Sequence, residues 1–146
     1  MSRITVTRTM DAPIYVVFKT IADIHNFSKA VPDIVKAEII SDVKSGVGTR
    51  FREIRLMNGK EATTELEVTE YVENERIRIV ADSHGTLWDS VFTVKPADGL
   101  TELNLTMDAK PYKFLPKLMN PLMKGMIKKA VENDMDAVKT YCEKSH

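Results

Sequence analysis

"RFREIRLM", residues 50–57, contains no Gly or Pro and alternates two kinds of side chain, which is typical of a β-strand. The odd positions are Phe51, Glu53, Arg55 and Met57, and the even positions are Arg50, Arg52, Ile54 and Leu56. Each face of this strand therefore carries two apolar and two charged residues. Alternation alone does not say which face is buried.

The signs of the charges distinguish the two faces. An inward even face would bury Arg50 and Arg52, two like charges with no acid in the same strand. An inward odd face would bury Glu53 and Arg55, which have opposite charges and lie two residues apart on one face. Because an unpaired buried charge is costly and opposite charges partly neutralise each other, we predict that the odd face points inward.

Most of the chain repeats this strand pattern. Alternation predicts strands at residues 3–10, 35–42, 48–57, 60–72, 75–83, 86–95 and 101–109. The breaks between them carry turn residues, as in "KSGVG", "MNGK", "SHG" and "PADG". Such short connections favour antiparallel pairing of consecutive strands.

Two short helices are predicted after the first strand. Asp11 is the expected cap of the first helix, with Pro13 in its first turn. Asp23 is the expected cap of the second helix, which runs to about Ser28 before "VPD" stops it.

Helical spacing returns near Tyr112 and continues to the end of the chain. The main helix begins either at Asn120 and Pro121 or near Lys113, with a bend at Pro121 in the second case. Only this helix is long enough to cover the apolar face of the sheet. The sequence therefore predicts an α+β fold, a curved antiparallel sheet of six to seven strands around a long C-terminal helix.

Composition narrows the class of protein. The chain has 146 residues, which fits one domain over 1–146, and its 21 basic and 21 acidic residues cancel. No global field therefore attracts nucleic acid. The single cysteine, Cys142, cannot form an internal disulfide and lies on the apolar side of the last helix, where a buried thiol is expected. With no signal-peptide core and no apolar run of about 20 residues, we expect a cytoplasmic protein.

The element order carries a family resemblance, together with "GVGTRFREIR", "DSHGTLW" and the terminal "NPLMKGMIKKAVENDMDAVKTYCE". The chain resembles the START-like superfamily, whose fold is called helix-grip, and within it the polyketide cyclase/dehydrase and lipid-transport (SRPBCC) group. The resemblance covers essentially the whole chain. It implies an apolar cavity between the sheet and the long helix that binds lipids, sterols, polyketides or other hydrophobic molecules. Some members are cyclases, hydrolases or dehydratases, so the fold alone does not fix the function.

No strong catalytic signature is present. The three histidines show no metal-ligand spacing and no Gly-rich phosphate loop precedes a helix, so we expect neither a metal nor a cofactor. The G-x-S-x-G elbow of a serine nucleophile is absent as well. The catalytic candidates are Glu53 as acid/base, Arg55 as oxyanion stabiliser, and His84. His84 is either a contact at the cavity rim or a turn histidine bonded to local backbone.

Alternation on neighbouring strands and the methionine-rich helix complete the candidate binding site. The residues predicted to bind ligand are Phe51, Glu53, Arg55, Thr64, Ser83, Trp88, Ser90, Phe92, Met119, Met123 and Met126. The alternative is a filled core in which Trp88 and the methionines only pack and the Glu53–Arg55 pair fixes strand register.

Charge is unevenly distributed along the chain. Residues 109–131 contain six lysines and no acid, which indicates either a solvated face or weak contact with an anionic membrane surface. Three hypotheses follow: a binder of a hydrophobic small molecule or lipid, an enzyme acting on an apolar substrate in the same cavity, and a module that binds a partner through the basic helix.

Overall fold

A curved, seven-stranded antiparallel sheet forms the body of the protein. The computed structural model describes residues 2–57 and 59–144. The strands are β1 (Ser2–Met10), β2 (Ile34–Ile39), β3 (Arg50–Met57), β4 (Lys60–Val72), β5 (Arg76–Ser83), β6 (Thr86–Ala97) and β7 (Leu100–Pro111). The helices are α1 (Ile14–Ala22), α2 (Ile24–Ala30) and α3 (Phe114–Lys144). The predicted α+β helix-grip class is confirmed.

The strand order is β1-β7-β6-β5-β4-β3-β2, so consecutive strands from β2 to β7 are neighbours, as their short connections predict. The first strand closes the far edge against β7, and α1 and α2 carry the chain from one edge of the sheet to the other. The register shifts at Ile34/Lys36 and at Val68/Glu70. Irregularities of this kind bend a strand and increase its twist, which helps the sheet to curve around the helices.

The two short helices differ in how they begin. The Asp23 side chain accepts hydrogen bonds from the backbone N–H groups of His25 and Asn26, so this predicted cap is confirmed. The predicted Asp11 cap is wrong: Pro13 occupies the N-cap position of α1, and no side chain caps that helix. Asp11 lies two residues too early to reach the first amides, and its own N–H donates to Glu143 at 3.0 Å.

The long helix is one continuous element from Phe114, which agrees with the start near Lys113 and not with the start at Pro121. Its second half is anchored in the core by Val131, Met135, Val138 and Cys142, all buried. Its first half exposes most of its side chains. Within residues 2–57 and 59–144, no helix combines the length and apolarity needed to cross a membrane.

The inner face of β3 follows the charge argument, with one exception. Phe51 is buried, and Glu53 and Arg55 are partly buried on the same face. Met57, also predicted to point inward, is 49% exposed because it ends the strand, opposite Lys60 beside the turn. The predicted "MNGK" turn includes Asn58, which lies outside the described residues.

Candidate functional site

A cavity of about 410 Å³ lies between the sheet and the three helices. Every helix and every strand from β2 to β7 contributes to its lining. Aromatic side chains form much of the wall: Phe27 meets Phe92 edge to face at 6.3 Å between ring centroids, and Phe18 meets Tyr71 at 5.4 Å. The wall is therefore largely apolar and built from long-range contacts.

One charged cluster reaches the interior of this cavity. Arg55 Nε donates to Glu53 Oε1 at 3.2 Å, and Arg55 Nη1 donates to the two carboxylate oxygens of Asp134 at 3.0 and 2.8 Å. The side chains of Glu53, Arg55 and Asp134 are only 14%, 19% and 19% exposed. We call these three residues the carboxylate–arginine cluster.

Burial dominates the electrostatics of the carboxylate–arginine cluster. It raises the pKa of the Glu53 and Asp134 carboxyls above their ordinary values, although the Arg55 charge acts in the opposite direction. Burial also acts to lower the pKa of the Arg55 guanidinium, but the two carboxylates outweigh it and that pKa is raised. With all three groups ionised, two acids face one base, and the cluster carries one net negative charge.

Asp134 is the member of this cluster that the sequence reasoning missed. It sits on α3 three residues after Val131 and four before Val138, both of which face the core. A carboxylate at that spacing falls on the apolar side of the helix, and this spacing was the signal available in the sequence. Asp134 forms an ion pair with Arg55 of β3, because both side chains point into the cavity.

Three further predicted binding residues share this cavity: Phe51 on β3, and Ser90 and Phe92 on β6. Its described lining does not include Thr64, Ser83, Trp88, Met119, Met123 or Met126. The three methionines belong to the first half of α3, whereas the helix reaches the cavity through Val131 and Asp134 in its second half. The helices α1 and α2 also contribute lining residues, such as Phe18 and Phe27, and no sequence motif around these residues indicates that role.

His84 lies in the β5–β6 turn, outside the cavity lining among the described residues. Its backbone φ is +51°, and Ser83 Oγ lies 2.9 Å from its Nδ1. The imidazole therefore contacts its immediate neighbour and not the carboxylate–arginine cluster. His84 thus occupies a turn, but the contact of its imidazole is with the Ser83 side chain and not with the local backbone that the turn alternative expected.

The mouth of the cavity is marked by lining residues that are also exposed to solvent. These are Tyr15 and Lys19 of α1, Asp23 just before α2, Lys44 and Ser45 in the loop after β2, and Glu73 after β4. Both signs of charge occur there. The net negative carboxylate–arginine cluster is thus distinct from a mixed and solvated entrance.

Comparison with known proteins places the chain among others of similar architecture. A family model described as "Polyketide cyclase / dehydrase and lipid transport" matches residues 1–143. No curated protein matches the chain significantly in sequence.

Solved structures match over nearly the full chain. A START superfamily protein from Mycobacterium smegmatis gives a TM-score of 0.80 at 17% identity, with 99% of each chain covered. The Zhui aromatase/cyclase from Streptomyces sp. R1128 gives 0.82 at 18% identity, covering 97% of this chain and 93% of that one. A protein from Thermus thermophilus gives 0.79 at 17% identity, with 97% of each chain covered. At these identities the likeness concerns the fold alone.

Proposed function

The chain belongs to the Polyketide cyclase / dehydrase and lipid transport family, and from this premise we propose that it binds a hydrophobic small molecule or lipid in the cavity between sheet and helices. The observation that carries the proposal is the cavity of about 410 Å³ with a largely apolar wall and one buried charged cluster. Ligand pockets in proteins typically enclose about 300–1,000 Å³ and combine apolar walls with a few polar groups.

Neighbouring positions on β4 offer a matched test. Leu66 lines the cavity, while Glu65 is exposed on the opposite face of the same strand. Leu66→Trp should fill the space and remove binding of the neutral dye Nile red, whereas Glu65→Trp should bind it as the unmodified protein does. Circular dichroism would establish that both variants are folded.

Native mass spectrometry after incubation with a lipid extract would detect natural ligands directly. We expect adducts on the unmodified protein and on Glu65→Trp, and none on Leu66→Trp. An unmodified protein that takes up neither dye nor lipid, or dye uptake that survives in Leu66→Trp, would refute the proposal.

A second candidate is an enzyme that acts on an apolar substrate in the same cavity, of the cyclase, dehydratase or hydrolase type. The raised pKa of the Glu53 and Asp134 carboxyls supports it, because a general acid or base works best when its pKa approaches the working pH. Arg55 would then stabilise negative charge developing on the substrate. The family description and the name of the Zhui aromatase/cyclase suggest a linear polyketide as the first substrate to try.

The enzyme candidate has its own test. Product formation from the polyketide should fall in Glu53→Gln and in Arg55→Met, and the pH profile should lose the limb that belongs to the Glu53 carboxyl. Unchanged turnover in both variants would remove this candidate and leave the binding proposal standing.

A further inference from the structure

The carboxylate–arginine cluster has unequal numbers of acids and bases. Arg55 Nη1 is committed to both oxygens of Asp134, and Nε is committed to Glu53 Oε1. Among the described residues, no hydrogen bond engages Glu53 Oε2. The cluster therefore presents one free carboxylate oxygen and an excess negative charge to a ligand in the cavity.

Within residues 2–57 and 59–144, no cation other than Arg55 is paired with the Glu53 or Asp134 carboxylate. Lys19 and Lys44 lie at the exposed mouth, where solvent screens them. Asp33 acts on Asp134 with the same sign and adds to the negative potential. A carboxylate brought by a ligand would be a third acid sharing the single Arg55 cation, so burying it is costly.

We propose that the cavity selects an apolar molecule whose polar end donates hydrogen bonds, a protonated amine or a hydroxyl, and rejects one that ends in a carboxylate. A protonated amine neutralises the excess charge while donating to Glu53 Oε2. A hydroxyl donates to the same oxygen and can accept from Arg55 Nη2, which has no acceptor among the described residues. This inference rests on the proposed function, because it concerns the ligand of the same cavity.

Three probes with the same chain and different ends test the selection: decylamine, decanol and decanoate. Each would be titrated calorimetrically at neutral pH, below its aggregation concentration. We expect decylamine to bind at least tenfold more tightly than decanoate, with decanol between them. Asp134→Asn and Glu53→Gln each neutralise the cluster and should reduce the amine-over-carboxylate ratio by about tenfold.

Glu61→Gln is the control, since it removes an exposed acid of β4 that does not belong to the described cavity lining and should leave the ratio unchanged. Decanoate binding as tightly as decylamine, or a ratio that survives in both cluster variants, would overturn the proposed selection. If Nile red binds but the three probes bind equally, the selection fails and the proposed function stands. If neither the dye nor any probe binds, the proposed function fails as well.

A separate observation concerns the first half of α3, which exposes large apolar side chains. Phe114 is 81% exposed and Leu122 is 77% exposed. The full exposed set, here called the α3 apolar surface, is Phe114, Leu115, Leu118, Met119, Leu122 and Met126. Contiguous apolar exposure on this scale is unusual for a surface that meets only water.

A row of lysines borders the α3 apolar surface. Lys113, Lys117, Lys124 and Lys128 recur at spacings of four and seven residues, which place them along one side of the helix. Asn120, three residues after Lys117 and four before Lys124, lies on this same side of the helix, where it donates to Thr86 at 2.9 Å and holds this half of the helix to β6. The α3 apolar surface therefore points away from this attachment to β6, and the lysine side chains beside the attachment are exposed to solvent.

We infer that the first half of α3 docks on an anionic membrane surface, with its apolar side chains in the interface and its lysines on lipid head groups. The charge of this segment favours an anionic membrane over an apolar protein partner. Residues 109–131 contain six lysines and no acid, and an apolar partner would not need the lysines.

Vesicle flotation tests the docking. The protein should float with vesicles of phosphatidylserine and phosphatidylcholine but not with phosphatidylcholine alone, and high salt should weaken it. Leu122→Ser and the pair Lys124→Glu and Lys128→Glu should each reduce the bound fraction several-fold. The pair Lys36→Glu and Lys60→Glu, the same charge change at exposed positions of β2 and β4, should not.

Two results would overturn this inference. One is flotation of the charge-reversal variant with anionic vesicles to the same bound fraction as the unmodified protein. The other is absent vesicle binding together with a concentration-dependent dimer that Leu122→Ser abolishes, which would assign the α3 apolar surface to a second copy of the chain.

Discussion

Removing the one base of the carboxylate–arginine cluster should be among the most damaging single substitutions in this protein. Arg55→Met keeps much of the side-chain volume but leaves Glu53 and Asp134 facing each other without a cation. Arg55 makes three hydrogen bonds to them, at 3.2, 3.0 and 2.8 Å. Breaking a buried pair by removing one partner typically costs about 3–5 kcal/mol, and we expect the lower end because each side chain keeps some solvent contact.

The unfolding free energy lost in Arg55→Met should increase as the pH rises. Burial already raises the folded-state pKa of Glu53 and Asp134 above the unfolded value. A raised folded-state pKa contributes stability that is complete below the unfolded pKa and is lost as pH rises through the folded pKa. Without Arg55 both pKa values rise further, so the deficit should grow with pH, by up to about 1.4 kcal/mol per pH unit for each proton involved.

Urea unfolding followed by circular dichroism at about pH 5 and about pH 8 measures both effects through the unfolding free energy. Arg50→Met is the matched control, since Arg50 lies on the same strand, is 56% exposed and has its nearest carboxylate oxygens at 3.8 and 3.9 Å. Exposed pairs of this kind contribute about 0–1 kcal/mol. Equal losses in the two variants, or an Arg55→Met loss that does not change with pH, would refute the reasoning.

The remaining predictions concern packing, backbone and thiol chemistry. Met135→Ala should lower the unfolding free energy by about 2–5 kcal/mol and Met126→Ala by less than about 0.5, because only the first is buried; similar losses would contradict this. Gly85→Ala should cost about 1 kcal/mol or more in urea unfolding, since φ is +84° and a Cβ would lie 2.8 Å from the Lys113 side chain; an unchanged midpoint would count against it. Native Cys142 should resist iodoacetamide and react fully in urea, because burial both blocks it and raises its pKa; complete native labelling would disprove this.

Local patterns predicted most of the fold. Alternation and turn residues located β2 to β7, and short connections implied their order. The helix start was harder, because Asn120 and Pro121 form a plausible N-terminal pair locally. In the fold, Asn120 donates to Thr86 across to β6, so a tertiary contact engages the residue that local propensity would use as a cap.

The candidate site was less predictable, because it is assembled from distant segments. The inward orientation of Glu53 and Arg55 followed from charge within one strand. The third member, Asp134, lies on α3, 79 residues after Arg55 in the chain. No short-range sequence pattern links the two residues. Met119, Met123 and Met126 were predicted from composition, yet the helix contributes its second half to the cavity, because that half carries the buried anchors Val131 and Met135.

The geometry of the carboxylate–arginine cluster also separates its structural role from its chemical one. Glu53 and Arg55 are on the same strand, so their bond cannot fix the register between two strands. Only Arg55 to Asp134 joins two elements, holding α3 to β3. A neutral pair of Arg55 and Asp134 would serve that purpose alone. Glu53 adds desolvation cost and excess charge without bonding β3 to any other element among the described residues, and the proposed ligand selection would make use of that excess charge.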